Sequence, residues 1–166
     1  MLKHVPNALT IVRFLLIPVI IFACAQGNYI GTIILLTLSG ITDILDGTIA
    51  RKYNLITDFG KFMDPLADKL LVISALICMI EVGLVPGWMV IIIVSRELTV
   101  SILRAIAAAD GKVIAASSGG KLKTISQMIS IPLLLLGKQF GNSMLLSIGN
   151  ITILIATLLT LYSGWE

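Results

Sequence analysis

The sequence predicts an all-α integral membrane protein, built as a bundle of six transmembrane helices. Hydrophobic residues make up 57% of the 166-residue chain and charged residues only 13%, whereas a soluble domain carries about 25% charged residues. The apolar residues gather in six long stretches, and Lys and Arg concentrate on alternate connections between them. These three observations fit helices that pack against one another within lipid, and the length fits a single domain over residues 1–166.

Six stretches are long and apolar enough to be membrane-crossing helices, each of which needs about 20 residues. Turn-forming residues separate them, at Gly27-Asn28, Asn54, residues 83–87, residues 110–120 and Gly141-Asn142. The predicted spans are residues 8–26, 29–52, 58–82, 87–108, 122–137 and 142–163. Pro65 has no N–H group to donate, so the third helix is predicted to kink or to begin there.

The first span is predicted to be a retained helix rather than a signal peptide. Its apolar stretch is about as long as a true span, Arg13 lies inside it, and no small-residue cleavage site precedes Gly27. We therefore expect this segment to belong to the folded protein.

The distribution of Lys and Arg predicts which side of the membrane each connection occupies. These residues cluster near the N-terminus and around the second and fourth connections, whereas the other three connections hold only Lys138. Cytoplasmic segments of membrane proteins carry an excess of Lys and Arg. Both termini are therefore predicted to be cytoplasmic, and the active-site cavity near the second connection is predicted to face the cytoplasm.

Four aspartates stand near the cytoplasmic ends of the second and third spans: Asp43, Asp46, Asp64 and Asp68. Ionised side chains in membrane segments are costly and usually mark a functional site. Residues three and four apart share a helix face, so Asp43 and Asp46 form one stripe and Asp64 and Asp68 form another. Because the chain reverses between the two helices, the stripes are predicted to face each other.

Four carboxylates at this spacing predict a divalent-metal site. Oxygen ligands suit Mg²⁺ or Mn²⁺, and a cluster of this size can hold two ions, the arrangement used in phosphoryl transfer. Gly47, Ala50 and Gly60 lie on the same faces and let a ligand or a partner helix approach the backbone. Two other interpretations remain open: helix caps or ion-pair partners of nearby Arg and Lys, and an ion pathway in a membrane cation carrier.

The chain resembles the CDP-alcohol phosphotransferase family, whose motif of eight fixed positions it matches with no departure: Asp43-x2-Asp46-Gly47-x2-Ala50-Arg51-x8-Gly60-x3-Asp64-x3-Asp68. The resemblance covers nearly the whole chain and implies a six-helix membrane bundle, usually a homodimer. It also implies an enzyme that transfers a phosphatidyl group from CDP-diacylglycerol to an alcohol and releases CMP.

The resemblance further implies roles for individual residues. Asp43, Asp46 and Asp64 would bind the metal ions, and Asp68 would be both a further ligand and the general base that takes the proton of the acceptor hydroxyl. The residues implied at the CDP-lipid are Asn7, Thr10, Arg13, Gly47, Ala50, Arg51, Thr57 and Gly60. For the first three, an N-cap followed by an amphipathic helix start at the membrane surface remains the alternative.

Within the family, the resemblance is to bacterial members that make phosphatidylglycerophosphate. It is carried by residues 6–13, 63–69, 95–97 and 120–124, together with Arg104. It implies sn-glycerol 3-phosphate as the acceptor and a place in the cytoplasmic membrane of a bacterium. Another alcohol, such as inositol phosphate or serine, is the alternative. The chain ends at Glu166, where relatives usually continue, so we expect a truncated or short variant.

A phosphorylated acceptor needs a cationic pocket apart from the metals. Arg96 lies well inside the fourth apolar stretch, Arg104 lies about two turns further on near the same face, and Lys121 and Lys123 open the fifth stretch. These four cations are predicted to hold the acceptor phosphate by charge-assisted hydrogen bonds. The alternative for Arg104 and the lysines is the general excess of cytoplasmic cations, whose side chains reach lipid phosphates. A net charge of +3 gives no basis for nucleic-acid binding.

Overall fold

A computed structural model describes the backbone of residues 5–52, 58–109, 111 and 118–165. Side chains are described at residues 10–42, 48, 66–109, 111 and 119–163. All regular secondary structure in these ranges is helical, which confirms the all-α prediction. The helices are α1 (Val5–Ala25), α2 (Tyr29–Lys52), α3 (Asp58–Glu81), α4 (Gly87–Ala109), α5 (Ser118–Phe140) and α6 (Ser143–Trp165).

Each helix lies close to the stretch predicted for it. The largest difference is at α5, which begins at Ser118 rather than at residue 122, because Gly119 and Gly120 continue the helix instead of ending the preceding loop. The third helix begins at Asp58 and runs through Pro65. The helix therefore does not begin at the proline, and the other predicted outcome, a kink there, stays a prediction.

The same dipeptide, Gly-Asn, makes the turn from α1 to α2 and the turn from α5 to α6. Gly27 and Gly141 have φ values of 76° and 60°, a left-handed conformation that ends a helix and that glycine adopts without strain. The N–H of the following asparagine bonds to a carbonyl five residues back, at 3.0 Å in both turns. The side-chain oxygens of Asn28 and Asn142 then accept N–H bonds from the first turn of the next helix.

The chain forms two compact units, residues 1–78 and 79–166. In the first unit α1 packs against α2, and the buried side chains include Ile20 and Cys24 of α1 and Thr32 and Ser39 of α2. In the second unit α6 packs against both α5 and α4. The second unit is thus organised around α6.

Two glycines bring α5 and α6 close together. A Cβ atom at Gly149 would lie 2.6 Å from Cγ of Leu134, and one at Gly137 would lie 2.9 Å from Cγ of Leu146. Each helix therefore offers a glycine to a leucine of the other helix. Small residues at a crossing let two helix backbones approach closely, which is how helices associate within lipid.

In the second unit, several polar side chains are buried while many large apolar side chains are exposed. Gln127, Ser130 and Thr157 are buried, while Ile91 and Leu158 are exposed. In the part of the chain that the structure describes, one helix, Ser143–Ser163, is long and apolar enough to cross a membrane, judged by length and composition. Thr10–Ala25 and Tyr29–Thr42 are shorter apolar helices. The six helices are confirmed, and their assignment as six membrane spans stays a prediction.

Candidate active site

The aspartate motif is divided between two helices. Asp43 and Asp46 lie in the second half of α2, and Asp64 and Asp68 lie in the first half of α3. The side chain of Asp68 is exposed, so a ligand can reach it. The other three carboxylates lie outside the described side chains, and no group of three metal-ligating residues occurs among the side chains that are described. The predicted metal cluster therefore stays a prediction.

Among the residues implied at the CDP-lipid, side chains are described only in α1. Thr10 and Arg13 are one turn apart on this helix and are fully buried, at 0% and 1% exposure. Burial of this kind is not what a helix start lying at the membrane surface would produce. The remaining members of the set lie outside the described side chains: Asn7, Gly47, Ala50, Arg51, Thr57 and Gly60.

Arg96 joins the middle of α4 to the end of α6. Its Nη2 atom donates a hydrogen bond to the carbonyl oxygen of Ser163, at 3.0 Å. Ser163 belongs to the last turn of α6, where carbonyl groups have no partner within the helix and a cation is favoured. Arg96 also lines a cavity of about 500 Å³ between α4 and α6, whose other polar residues include Ser95 and Thr99. One N–H group of the Arg96 guanidinium is therefore already used in a hydrogen bond between two helices.

An ion pair joins α4 to α5. The ammonium group of Lys123 pairs with Oε1 of Glu97. The Lys123 side chain is only 1% exposed, while that of Glu97 is 23% exposed. A buried charge is tolerated when an opposite charge compensates it. Lys123 is therefore held by a carboxylate from the neighbouring helix, near the N-terminal end of α5.

Arg104 and Lys121 differ from the other two predicted cations. Neither has a hydrogen bond or an ion pair with any residue that the structure describes, and Nε of Arg104 is buried without a partner there. Arg104 is half-buried in the C-terminal half of α4, and Lys121 is exposed in the first turn of α5. Within the predicted acceptor-phosphate set, these are the two cations that the described residues leave for a ligand.

A family model described as CDP-alcohol phosphatidyltransferase matches residues 3–162, nearly the whole chain. The chain belongs to the CDP-alcohol phosphatidyltransferase family. The resemblance drawn from the aspartate motif is thereby confirmed at the level of the family.

Relatives of known name are similar to this chain over most of their length. A CDP-diacylglycerol–glycerol-3-phosphate 3-phosphatidyltransferase of Bacillus subtilis is 39% identical, over 98% of this chain and 92% of the relative. A protein of the same name from Rickettsia felis is 40% identical, over 99% of this chain and 93% of the relative. A probable phosphatidylglycerophosphate synthase of Mycobacterium tuberculosis is 39% identical, over 81% of this chain and 67% of the relative.

Two partners of the candidate site residues could not be predicted from the sequence: the side chain of Glu97 and the backbone carbonyl of Ser163. Glu97 is next to Arg96 in sequence but does not share its helix face, and its pairing with Lys123 crosses between helices. Ser163 gave no signal, because it acts through its backbone carbonyl. Gln127 offered one weak signal, its position one turn after Lys123, and the structure shows that it is buried.

Proposed function

We propose that this chain transfers the phosphatidyl group of CDP-diacylglycerol to sn-glycerol 3-phosphate, giving phosphatidylglycerophosphate and CMP. The observation that carries the proposal is the identity of 39–40%, over nearly the whole chain, to relatives named for this reaction. Arg104 and Lys121 add support, because two cations without partners among the described residues suit a phosphorylated acceptor. An acceptor without a phosphate, such as serine, would leave these charges without a role in binding.

The proposed setting is the cytoplasmic membrane of a bacterium, with all six helices spanning the bilayer and both termini in the cytoplasm. The many large apolar side chains exposed on the second unit, together with the polar side chains buried in it, support this setting. So does the excess of Lys and Arg on alternate connections. We also propose that two copies of the chain form a homodimer, as the resemblance to the family implies.

Two divalent ions, Mg²⁺ or Mn²⁺, are part of the proposal. The donor set fits them, because Asp43, Asp46, Asp64 and Asp68 offer only hard oxygen ligands. These four residues would hold the ions. When bound, the ions would neutralise the charge that develops on the phosphate oxygens during transfer.

The remaining chemistry is assigned to residues of the chain itself. The acceptor hydroxyl oxygen bonds to the lipid-side phosphorus of CDP-diacylglycerol, the bond from that phosphorus to the CMP oxygen breaks, and the hydroxyl proton passes to Asp68. Exposure of Asp68 is consistent with this role. Arg51 would bind the pyrophosphate with its fork of donors, and Gly47 would let the nucleotide approach the helix backbone.

The acceptor phosphate is assigned chiefly to Arg104 and Lys121. Arg96 and Lys123 hold helices together through Ser163 and Glu97, so part of their hydrogen-bonding capacity is used by the fold. They would contribute positive charge close to the phosphate rather than the main hydrogen bonds.

The experiment is CMP release by purified protein in detergent with CDP-diacylglycerol, Mg²⁺ and one acceptor at a time. Release that requires glycerol 3-phosphate, and that stops when a chelator removes the metal, is the expected result. Release with inositol phosphate or serine instead would keep the family and overturn the acceptor. Metal flux into sealed vesicles, without any CMP release, would favour a cation carrier.

A further inference from the structure

Gln127 carries a buried hydrogen-bond donor that the described chain does not satisfy. Its side chain is 4% exposed, and its amide nitrogen Nε2 is shielded from solvent and has no hydrogen-bond partner in the part of the chain that the structure describes. Most buried polar groups are paired, and an exception points to a missing ligand, water or ion. An unpaired buried donor lowers the folding equilibrium constant by about fivefold to hundredfold, so a ligand that supplies the missing acceptor is favoured at this position.

The neighbours of Gln127 on the same face of α5 are already paired. Lys123, one turn earlier, pairs with Glu97 of α4. Ser130, three residues later, donates its hydroxyl hydrogen to the backbone carbonyl oxygen of Gln127 at 3.0 Å. Lys123 and Ser130 thus each have a partner, whereas Nε2 of Gln127 has none among the described residues. Gln127 lies between the charged start of α5 and the part of the helix that packs tightly against α6.

We infer that Gln127 determines acceptor specificity by donating a hydrogen bond to the secondary hydroxyl of glycerol 3-phosphate. This inference rests on the proposed function. A neutral amide donor suits a hydroxyl oxygen, whereas phosphate favours the cations. Lys121 and Lys123 precede Gln127 by about one to two turns, or about 6 to 9 Å along the helix. This order along α5, with cations first and a neutral donor after them, suits an acceptor with a phosphate at one end and hydroxyl groups toward the other.

The acceptor must part the side chains around Gln127 in order to reach its amide, because Nε2 does not meet solvent in the chain without ligand. Glu97, which pairs with Lys123 one turn before Gln127, is 23% exposed, so solvent reaches this ion pair. A hydroxyl that enters there replaces no existing partner of the amide within the described residues. The pairing therefore satisfies a donor that folding left unpaired, without breaking another bond of that amide.

The test compares two acceptors and two variants. Glycerol 3-phosphate and 3-hydroxypropyl phosphate differ only in the secondary hydroxyl, and both keep a primary hydroxyl that can react. Gln127→Met keeps the size of the side chain and removes its donors, while Met128→Leu changes an exposed neighbour as the matched control. The value of kcat/KM for each acceptor is measured from CMP release, together with the KM for CDP-diacylglycerol and the unfolding temperature.

We expect the unmodified protein and Met128→Leu to prefer glycerol 3-phosphate by about tenfold, because a site that bonds a hydroxyl rejects the analogue that lacks it. Gln127→Met should lose that preference, with an unchanged KM for CDP-diacylglycerol and no lower unfolding temperature. The inference is overturned if Gln127→Met keeps the preference, or if its rate falls by the same factor with both acceptors. Absence of CMP release from the unmodified protein with either acceptor would instead contradict the proposed function, before any variant is compared.

Discussion

The guanidinium group of Arg96 lies 3.0 Å from the carbonyl oxygen of Ser163, which links the middle of α4 to the last turn of α6. A hydrogen bond from a charged donor to an otherwise unpartnered helix carbonyl stabilises both elements. Arg104 lies on the same helix and has no such bond with the described residues. The two arginines of α4 are therefore expected to differ in how their replacement changes the stability of the protein.

Replacing Arg96 should affect folding as well as acceptor binding. We expect Arg96→Ala to reduce the free energy of unfolding by about 1.5–3 kcal/mol, because it removes a hydrogen bond from a charged donor. Arg104→Ala should leave the unfolding temperature unchanged and raise the KM for glycerol 3-phosphate about tenfold or more. Thermal unfolding in detergent and acceptor titrations measure both effects, and equal changes in unfolding temperature would refute the distinction.

The ion pair between Glu97 and Lys123 should show compensation between its two members. Glu97→Gln alone should cost about 3–5 kcal/mol of stability, because it removes a compensating negative charge from the buried ammonium group of Lys123, whereas Lys123→Met should cost less, because Glu97 is 23% exposed. The double variant should recover most of that loss. Unfolding measured for all four proteins tests this, and additive losses would show that the two side chains do not depend on each other.

Close approach of α5 and α6 should make Gly149 intolerant of any side chain. A Cβ atom there would lie 2.6 Å from Cγ of Leu134, so Gly149→Ala should cost about 1–3 kcal/mol. Gly40 of α2 is the matched control, because a Cβ atom there meets no atom of the described residues within 4 Å. Gly40→Ala should stabilise the protein by about 0.5–1 kcal/mol. A stable Gly149→Ala variant would mean that the two helices are further apart than described.

Asp68→Asn should abolish CMP release while the protein remains folded. The side chain is exposed, so the loss of its charge should have little effect on packing, whereas an amide cannot accept the proton of the acceptor hydroxyl. The rate of CMP release and the helical circular dichroism signal are compared with those of the unmodified protein. A variant that keeps a near-normal rate would remove Asp68 from the role of base.

The helices could be predicted from sequence because their ends are set by local chemistry. The Gly27-Asn28 and Gly141-Asn142 dipeptides combine a left-handed helix end with a side chain that caps the next helix, and both properties belong to the residues themselves. Ser118 was missed as the start of α5 because two glycines suggested a loop, while the helix continues through them.

Partners within the candidate site were harder to predict, because they depend on how helices pack. Residue spacing shows that Glu97 does not share a face with Arg96, but it cannot show that Glu97 meets Lys123 of another helix. Nor can spacing show that Arg96 bonds to a backbone carbonyl 67 residues away. The aspartate motif was recognisable because its chemistry needs fixed spacing within two helices, whereas cations for a phosphate can come from many positions.

The most direct test of the central claim is to follow isotopically labelled glycerol 3-phosphate into lipid. Purified protein would be given CDP-diacylglycerol, Mg²⁺ and the labelled acceptor, and the lipid and nucleotide products would be identified by mass spectrometry. The account predicts labelled phosphatidylglycerophosphate and CMP in equal amounts. CMP release without labelled lipid, or a phospholipid product that forms only when a different alcohol is supplied, would contradict this prediction.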